Sequence, residues 1–266
     1  MLFEFKVIVR NCQWYRPTIR FRLKIRKMLR NPIAGIFCFL IVLIGSAQNE
    51  AEFFAQADTF FNAYVSEGKV DYKSIVKNPS SINELLDIAK KINFSKKDAA
   101  NYQAFWINGY NLLVIKSIVD NYPLKSPLDK IGFFDIKTHE IGGELITLND
   151  IEHEMLRTLF PNEPRFHFVL VCAGLGCPPI INKAYMPSTL DVQLEQQTIL
   201  ALNDPLFIQV NKNKVKISRI FEWYKSDFTK EGRSLVDFIN LYRTEKLPER
   251  AQVSFYAYNW ALNENK

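Results

Sequence analysis

Apolar residues recur at helical spacing in Phe53, Phe54, Ala57, Phe60, Phe61 and Tyr64, and again in Leu85, Leu86 and Ala89, so both runs predict amphipathic helices. A longer helix is expected from about Lys96 to Asn121, with Ser95 as its N-cap, Asp98 three residues on and Pro123 after its end. That helix carries AFWINGYNLLVIKSIV, which is apolar on nearly all sides. It is expected to be the central, buried helix.

The period then changes. FFDIKTHEI and ELITL flank Gly142-Gly143, a pair that readily takes positive φ, and predict a hairpin within residues 133 to 147. Thr147 or Asn149 is expected to cap a helix reaching about Leu159. Arg165 to Cys172 reads as a strand, followed by a Gly174-Leu-Gly turn and a helix from about Ser188 to Leu202. Phe207 to Val210 and Val215 to Ile217 form a second hairpin around Asn211-Lys-Asn-Lys. Two helices and a last strand, Gln252 to Tyr258, complete the chain. This irregular alternation lacks the steady βαβ rhythm of a doubly wound sheet and predicts an α+β fold. No repeat, low-complexity tract or Pro/Gly/Ser-rich linker follows residue 50, so one domain is expected over residues 51 to 266, a mixed or antiparallel sheet packed with several helices.

Charge changes the picture only at the N-terminus. The net charge is +6 over 266 residues, yet residues 1 to 48 hold nine basic side chains against Glu4, a local +8 that leaves −2 for the rest. A slightly acidic body offers no broad field for phosphate backbones, which argues against nucleic-acid binding. The basic stretch runs into the apolar segment Ile33 to Ile44 and then Gly45-Ser-Ala-Gln. A basic flank, a short apolar run and a small-residue exit predict a signal peptide over residues 28 to 48, the run being short against the roughly 20 residues of a spanning helix. The expected location is the periplasm or cell envelope. The alternative is an uncleaved single-pass inner-membrane anchor through residues 33 to 44, which the arginines before it would orient. Residues 1 to 27 read as a basic extension, explained if Met28 is the true start. Cleavage removes Cys12 and Cys38 and leaves Cys172 and Cys177, whose pairing an oxidising compartment permits.

The candidate chemistry gathers around FHFVLVCAGLGCPPI, residues 166 to 180. On a strand, Phe166, Phe168, Leu170 and Cys172 would face one side, with Arg165, His167, Val169 and Val171 on the other. Cys172 would then be a small core hydrophobe, unable to pair with His167 across one face. Cys177 precedes Pro178-Pro179; as the N-cap of a short helical turn it would sit where amide N–H groups stabilise a thiolate. A disulfide is equally open, since four intervening residues can bring the α-carbons within the about 4.4 to 6.8 Å that one requires. An inert thiol is the third possibility. On the helix Asp150-Ile-Glu-His-Glu-Met-Leu-Arg157, residues Ile151, Met155 and Leu159 would form the apolar stripe, and His153 and Arg157 share another face. Glu152 and His153 could orient and activate a thiol, or simply be a solvated patch. The histidines and cysteines lack zinc-site spacing, no Gly-rich phosphate loop joins a strand to a helix, and no cofactor is expected. His139 is expected to be exposed in its hairpin.

Val70-Asp-Tyr-Lys, Ala104-Phe-Trp-Ile-Asn-Gly-Tyr-Asn, Ile151-Glu-His-Glu-Met-Leu-Arg, Pro164-Arg-Phe-His-Phe-Val-Leu-Val-Cys with Gly-Cys-Pro-Pro, Ile220-Phe-Glu-Trp-Tyr-Lys-Ser-Asp-Phe and Tyr258-Asn-Trp-Ala-Leu-Asn together resemble the domain of unknown function family 547 (DUF547), in order over residues 68 to 263. The resemblance implies a single domain of bacterial exported proteins and plant proteins, with no assigned activity. It draws attention to Glu152, His153, Cys172 and Cys177. In some similar plant members serine replaces Cys177, which weighs against an obligatory disulfide and against Cys177 as sole nucleophile. Asn259 stands where aspartate is more usual; if that position orients a histidine, asparagine brings no charge.

Two functions follow as expectations. The first is a cysteine-dependent hydrolase or acyl-transferase acting on an amide or ester: Cys177 or Cys172 attacks, His153 or His167 is the base, and Glu152 or Asn259 orients it. The alternative is a non-catalytic envelope binding module with structural cysteines, its aromatic groove around Trp106 and Trp223 holding a peptide or glycan.

Overall fold

Helix α1 occupies residues 49–64 and buries Phe53, Ala57, Phe60 and Phe61, as their spacing requires. It begins the part of the chain that the computed structural model describes, residues 49–265. The basic extension, the apolar run, Cys12 and Cys38 lie outside the described residues. Asn49–Lys266 is one compact unit, and its fold is α+β.

After α1 come the short strands β1 (Val65–Ser66) and β2 (Lys69–Val70), then α2 (Tyr72–Lys77) and α3 (Ser80–Ala89). Helix α4, Ala99–Asp120, is the expected central helix, with fifteen of its 22 residues buried. Its N-cap is Asp98, whose side chain accepts from the Asn101 N–H; Ser95 instead accepts from Lys97. Both buried asparagines of α4 are structural clamps. Asn108 pairs with both backbone groups of Tyr185 (2.8 and 2.9 Å). Asn111 accepts from Val171 N–H and donates to Val169 C=O, each at 2.9 Å.

The hairpin forms as β3 (Thr138–Ile141) and β4 (Glu144–Thr147) around Gly142 and Gly143, both at positive φ. His139 is 8% exposed, contrary to expectation: strand alternation turns it and Ile141 inward. Thr147 and Asp150 close a capping box on α5, which is α-helical over Leu148–Asp150 and a π-helix over Ile151–Arg157. The expected regular α-helix is therefore corrected. With wider turns, the fully buried residues are Ile151 and Leu156, five apart, in place of the predicted stripe Ile151, Met155 and Leu159.

The predicted strand Arg165 to Cys172 is also absent. Pro164–Phe168 is a 3-10 helix, and the chain from Val169 on is irregular. Asn111 satisfies the backbone at Val169 and Val171, so no strand partner is needed, and residues 166 to 171 are all buried. Helix α6 (Leu190–Asn203) precedes β5 (Ile208–Asn211) and β6 (Lys214–Ile217), and α7 (Ile220–Trp223), α8 (Lys225–Phe228) and α9 (Leu235–Tyr242) lead to β7 (Gln252–Phe255). β7 pairs parallel with β6, so the described strands form three small sheets, one of them mixed. The core has two clusters, one around α4 and one in which Phe168, Phe207, Phe221, Phe228 and Phe238 pack ring against ring.

Candidate functional site

Between α4, the π-helical turn, the 172–177 loop and α7–α8 lies a cleft of about 290 Å³. Glu152, His167, Cys172 and Cys177 all line it. The separation of His167 from Cys172 onto opposite strand faces is thus overturned, because the segment is not a strand and can aim both inward.

One side of the cleft is polar. The His167 Nε2 lies 2.8 Å from Asp227 Oδ2, and Arg157 Nε donates to the same oxygen at 2.7 Å. Tyr224 covers the His167 ring at a centroid distance of 4.1 Å, and the Arg157 guanidinium stacks 4.7 Å over the Tyr224 ring. Burial alone would raise the Asp227 carboxyl; the hydrogen bonds and charges of His167 and Arg157 outweigh it and hold the carboxyl well below the usual carboxylate range. Glu152 approaches Arg157 at only 3.9 Å, and its Oε1 is buried with no hydrogen-bond partner. Burial first, and the Glu152 charge second, push the Tyr224 phenol upward, so it stays protonated at neutral pH.

The other side is sulfur and aromatic. Cys172 and Cys177 are joined as a disulfide with α-carbons 6.4 Å apart. Of the three possibilities open for these residues, the disulfide is the one the structure contains, and in this state neither sulfur is a nucleophile. Nor is Cys177 an N-cap, since no helix begins there; its N–H donates to Gly174 C=O at 3.1 Å. The Tyr258 hydroxyl lies 3.1 Å from Cys172 Sγ and 3.0 Å from Cys177 Sγ. Tyr258, Trp223 and Trp260 pack together, with ring centroids 4.7 to 6.1 Å apart. Gly174 and Gly176 permit the loop's close approach: a Cβ on Gly176 would sit 2.9 Å from Asn259 N.

Three predicted site residues are placed elsewhere or differently. His153 does not line the cleft; its Nδ1 is 2.6 Å from Arg157, as the shared helix face foretold. Asn259 is exposed and accepts from Ala261 N–H at 3.0 Å, a local turn contact that orients no histidine. Trp106 is buried by a separate depression with Tyr102 and Glu144, so the expected groove uniting it with Trp223 does not exist. Asp227 was missed as the partner of His167, because 60 residues separate them and nothing periodic links them. Tyr258 was missed for the same reason, although its motif was visible.

Residues 94–199 match the family model described as Protein of unknown function, DUF547. This stretch carries Glu152, His167 and both cysteines, whereas Trp223, Tyr224, Asp227 and Tyr258 lie beyond it. No curated protein and no solved structure matches the chain.

Proposed function

We propose that the cleft is a recognition site for a short peptide or glycan, in a protein of the periplasm or cell envelope. One observation carries this reading: the half-buried Glu152 carboxylate, whose Oε1 faces Arg157, lines the same cleft as the partly exposed Trp223 and its aromatic neighbours. Aromatic faces take apolar ring or side-chain surface, and a carboxylate at the cleft wall takes a hydroxyl or amide N–H. Export is supported by the basic flank, short apolar run and small-residue exit, and by a disulfide that an oxidising compartment favours. The alternative is a membrane anchor through residues 33 to 44. Among the described residues no helix is long and apolar enough to cross a membrane.

The test is a titration of the protein with oligosaccharides and short peptides, followed by tryptophan fluorescence. A saturable change in wild type that disappears in Trp223→Ala supports the reading; the absence of any saturable response across both ligand classes overturns it.

A second reading, a cysteine-dependent hydrolase or acyl-transferase, is favoured by His167 and its Asp227 partner lying in the same cleft as both sulfurs. It requires the disulfide to open. Ester or amide turnover that appears only after reduction and vanishes in His167→Ala would support it, while a reduced protein without turnover counts against it.

A further inference from the structure

We propose that Cys172–Cys177 is a redox-active disulfide that undergoes thiol–disulfide exchange with a dithiol entering the cleft. Three features of the loop point this way.

Access comes first, since both cysteines are half-buried and line the cleft. The second feature is that the loop does not depend on the bond for its shape. Leu175 N–H donates to Ala261 C=O and Gly176 N–H to Asn259 C=O, both at 2.8 Å, and Asn263 N–H donates to Ala173 C=O at 2.9 Å. These backbone bonds pin the residues between the two cysteines to the C-terminal segment. Opening the disulfide therefore leaves the loop held.

Third, the sulfurs have donors in place to receive negative charge. Cys177 Sγ accepts from the Cys172 N–H and from the Tyr258 hydroxyl, each at 3.0 Å. Tyr258 remains protonated at neutral pH because burial pushes its phenol well above its ordinary value. Hydrogen bonds to a thiolate lower its pKa and make it a better leaving group.

Exchange then runs in two balanced steps. A thiolate of the dithiol attacks Cys172 Sγ, forming a mixed disulfide, and the Cys172–Cys177 bond breaks with its electron pair leaving on Cys177. The second thiol of the reductant, deprotonated, attacks its own sulfur in the mixed disulfide and releases Cys172 as thiolate. Two electrons and two protons pass from the dithiol to the protein, and the dithiol leaves as its disulfide.

The experiment treats the protein, without denaturant and near neutral pH, with dithiothreitol, quenches with iodoacetamide and reads intact mass against time. Circular dichroism and tryptophan fluorescence are followed in parallel. Full reduction of the native protein with an unchanged far-ultraviolet spectrum is expected, and Tyr258→Phe should react roughly fivefold more slowly. Resistance until denaturant is added, or unfolding that keeps pace with reduction, overturns the proposal. Should Tyr258→Phe not fold, the wild-type time course alone decides between these outcomes. Because the readout is mass, a negative result for peptide or glycan binding leaves this test intact.

Discussion

The two sides of the cleft are held in different ways. Asp227, His167, Arg157 and Tyr224 form a closed set in which one carboxylate oxygen receives two partners and the rings stack on each other. The opposite side is a short loop with its disulfide, pinned by backbone hydrogen bonds and faced by Tyr258, Trp223 and Trp260. The polar side is expensive to disturb because removing one member strands charge out of water. The aromatic side carries surface that a ligand can cover, and its outermost ring contributes little to folding. Rigidity thereby belongs mostly to the polar wall, which still presents Glu152 to the cleft, and the larger coverable surface to the aromatic wall.

The largest effect should come from Asn111, which fixes the chain between the walls. Asn111→Ala leaves the Val171 N–H and Val169 C=O buried without partners and is expected to cost about 4 kcal/mol in chemical denaturation. Next, Asp227→Ala removes the nearest counter-charge of Arg157 and the hydrogen-bond partner of His167, and should cost about 3 kcal/mol by the same measurement. Since the Asp227 carboxyl is depressed in the folded protein, its contribution is present above the ordinary aspartate range and is lost as pH falls below it. The Asp227→Asn variant should accordingly show a flatter acid limb of stability against pH. On the other wall, Cys172→Ala with Cys177→Ala should lower stability by about 2 kcal/mol, the loop being short.

His139 sharpens the contrast, because it is buried without the kind of partner that His167 has. Its Nε2 makes no hydrogen bond, and burial, with Lys137 nearby, takes its pKa down to about 4. The unfolded chain binds the proton more readily, so stability should fall as pH drops from the ordinary histidine value toward 4. His139→Leu should remove that slope, as followed by thermal unfolding at a series of pH values. The smallest stability effect belongs to Trp223→Ala, at 46% exposure, where loss of the packing on Tyr258 and Trp260 should cost about 1 kcal/mol.

Much of the helical frame was legible in the sequence, and the reasons are local. Helix α4 declared itself by a long apolar run, and the two hairpins by Gly142-Gly143 and by Asn211-Lys-Asn-Lys, each a signal within a few residues. The stretch from Pro164 to Cys172 misled because its β-like composition meets a side chain, Asn111, that substitutes for a strand partner. The π-helix misled because its register differs from an α-helix by a single residue per turn. At the site, His167, Glu152 and the cysteines were found by residue type. Their union with Asp227 and Tyr258 depends on packing across 60 to 106 residues, which no periodicity encodes.

The central claim is that the cleft recognises a ligand through its aromatic wall and the Glu152 carboxylate. The most direct measurement is the affinity of one peptide or glycan that quenches wild-type tryptophan fluorescence, compared by calorimetry between wild type, Trp223→Ala and Glu152→Ala. Losses of roughly tenfold or more in both variants, each still folded at the assay temperature, are predicted. Affinities equal to wild type in both variants would contradict the account, since the ligand would then be bound elsewhere.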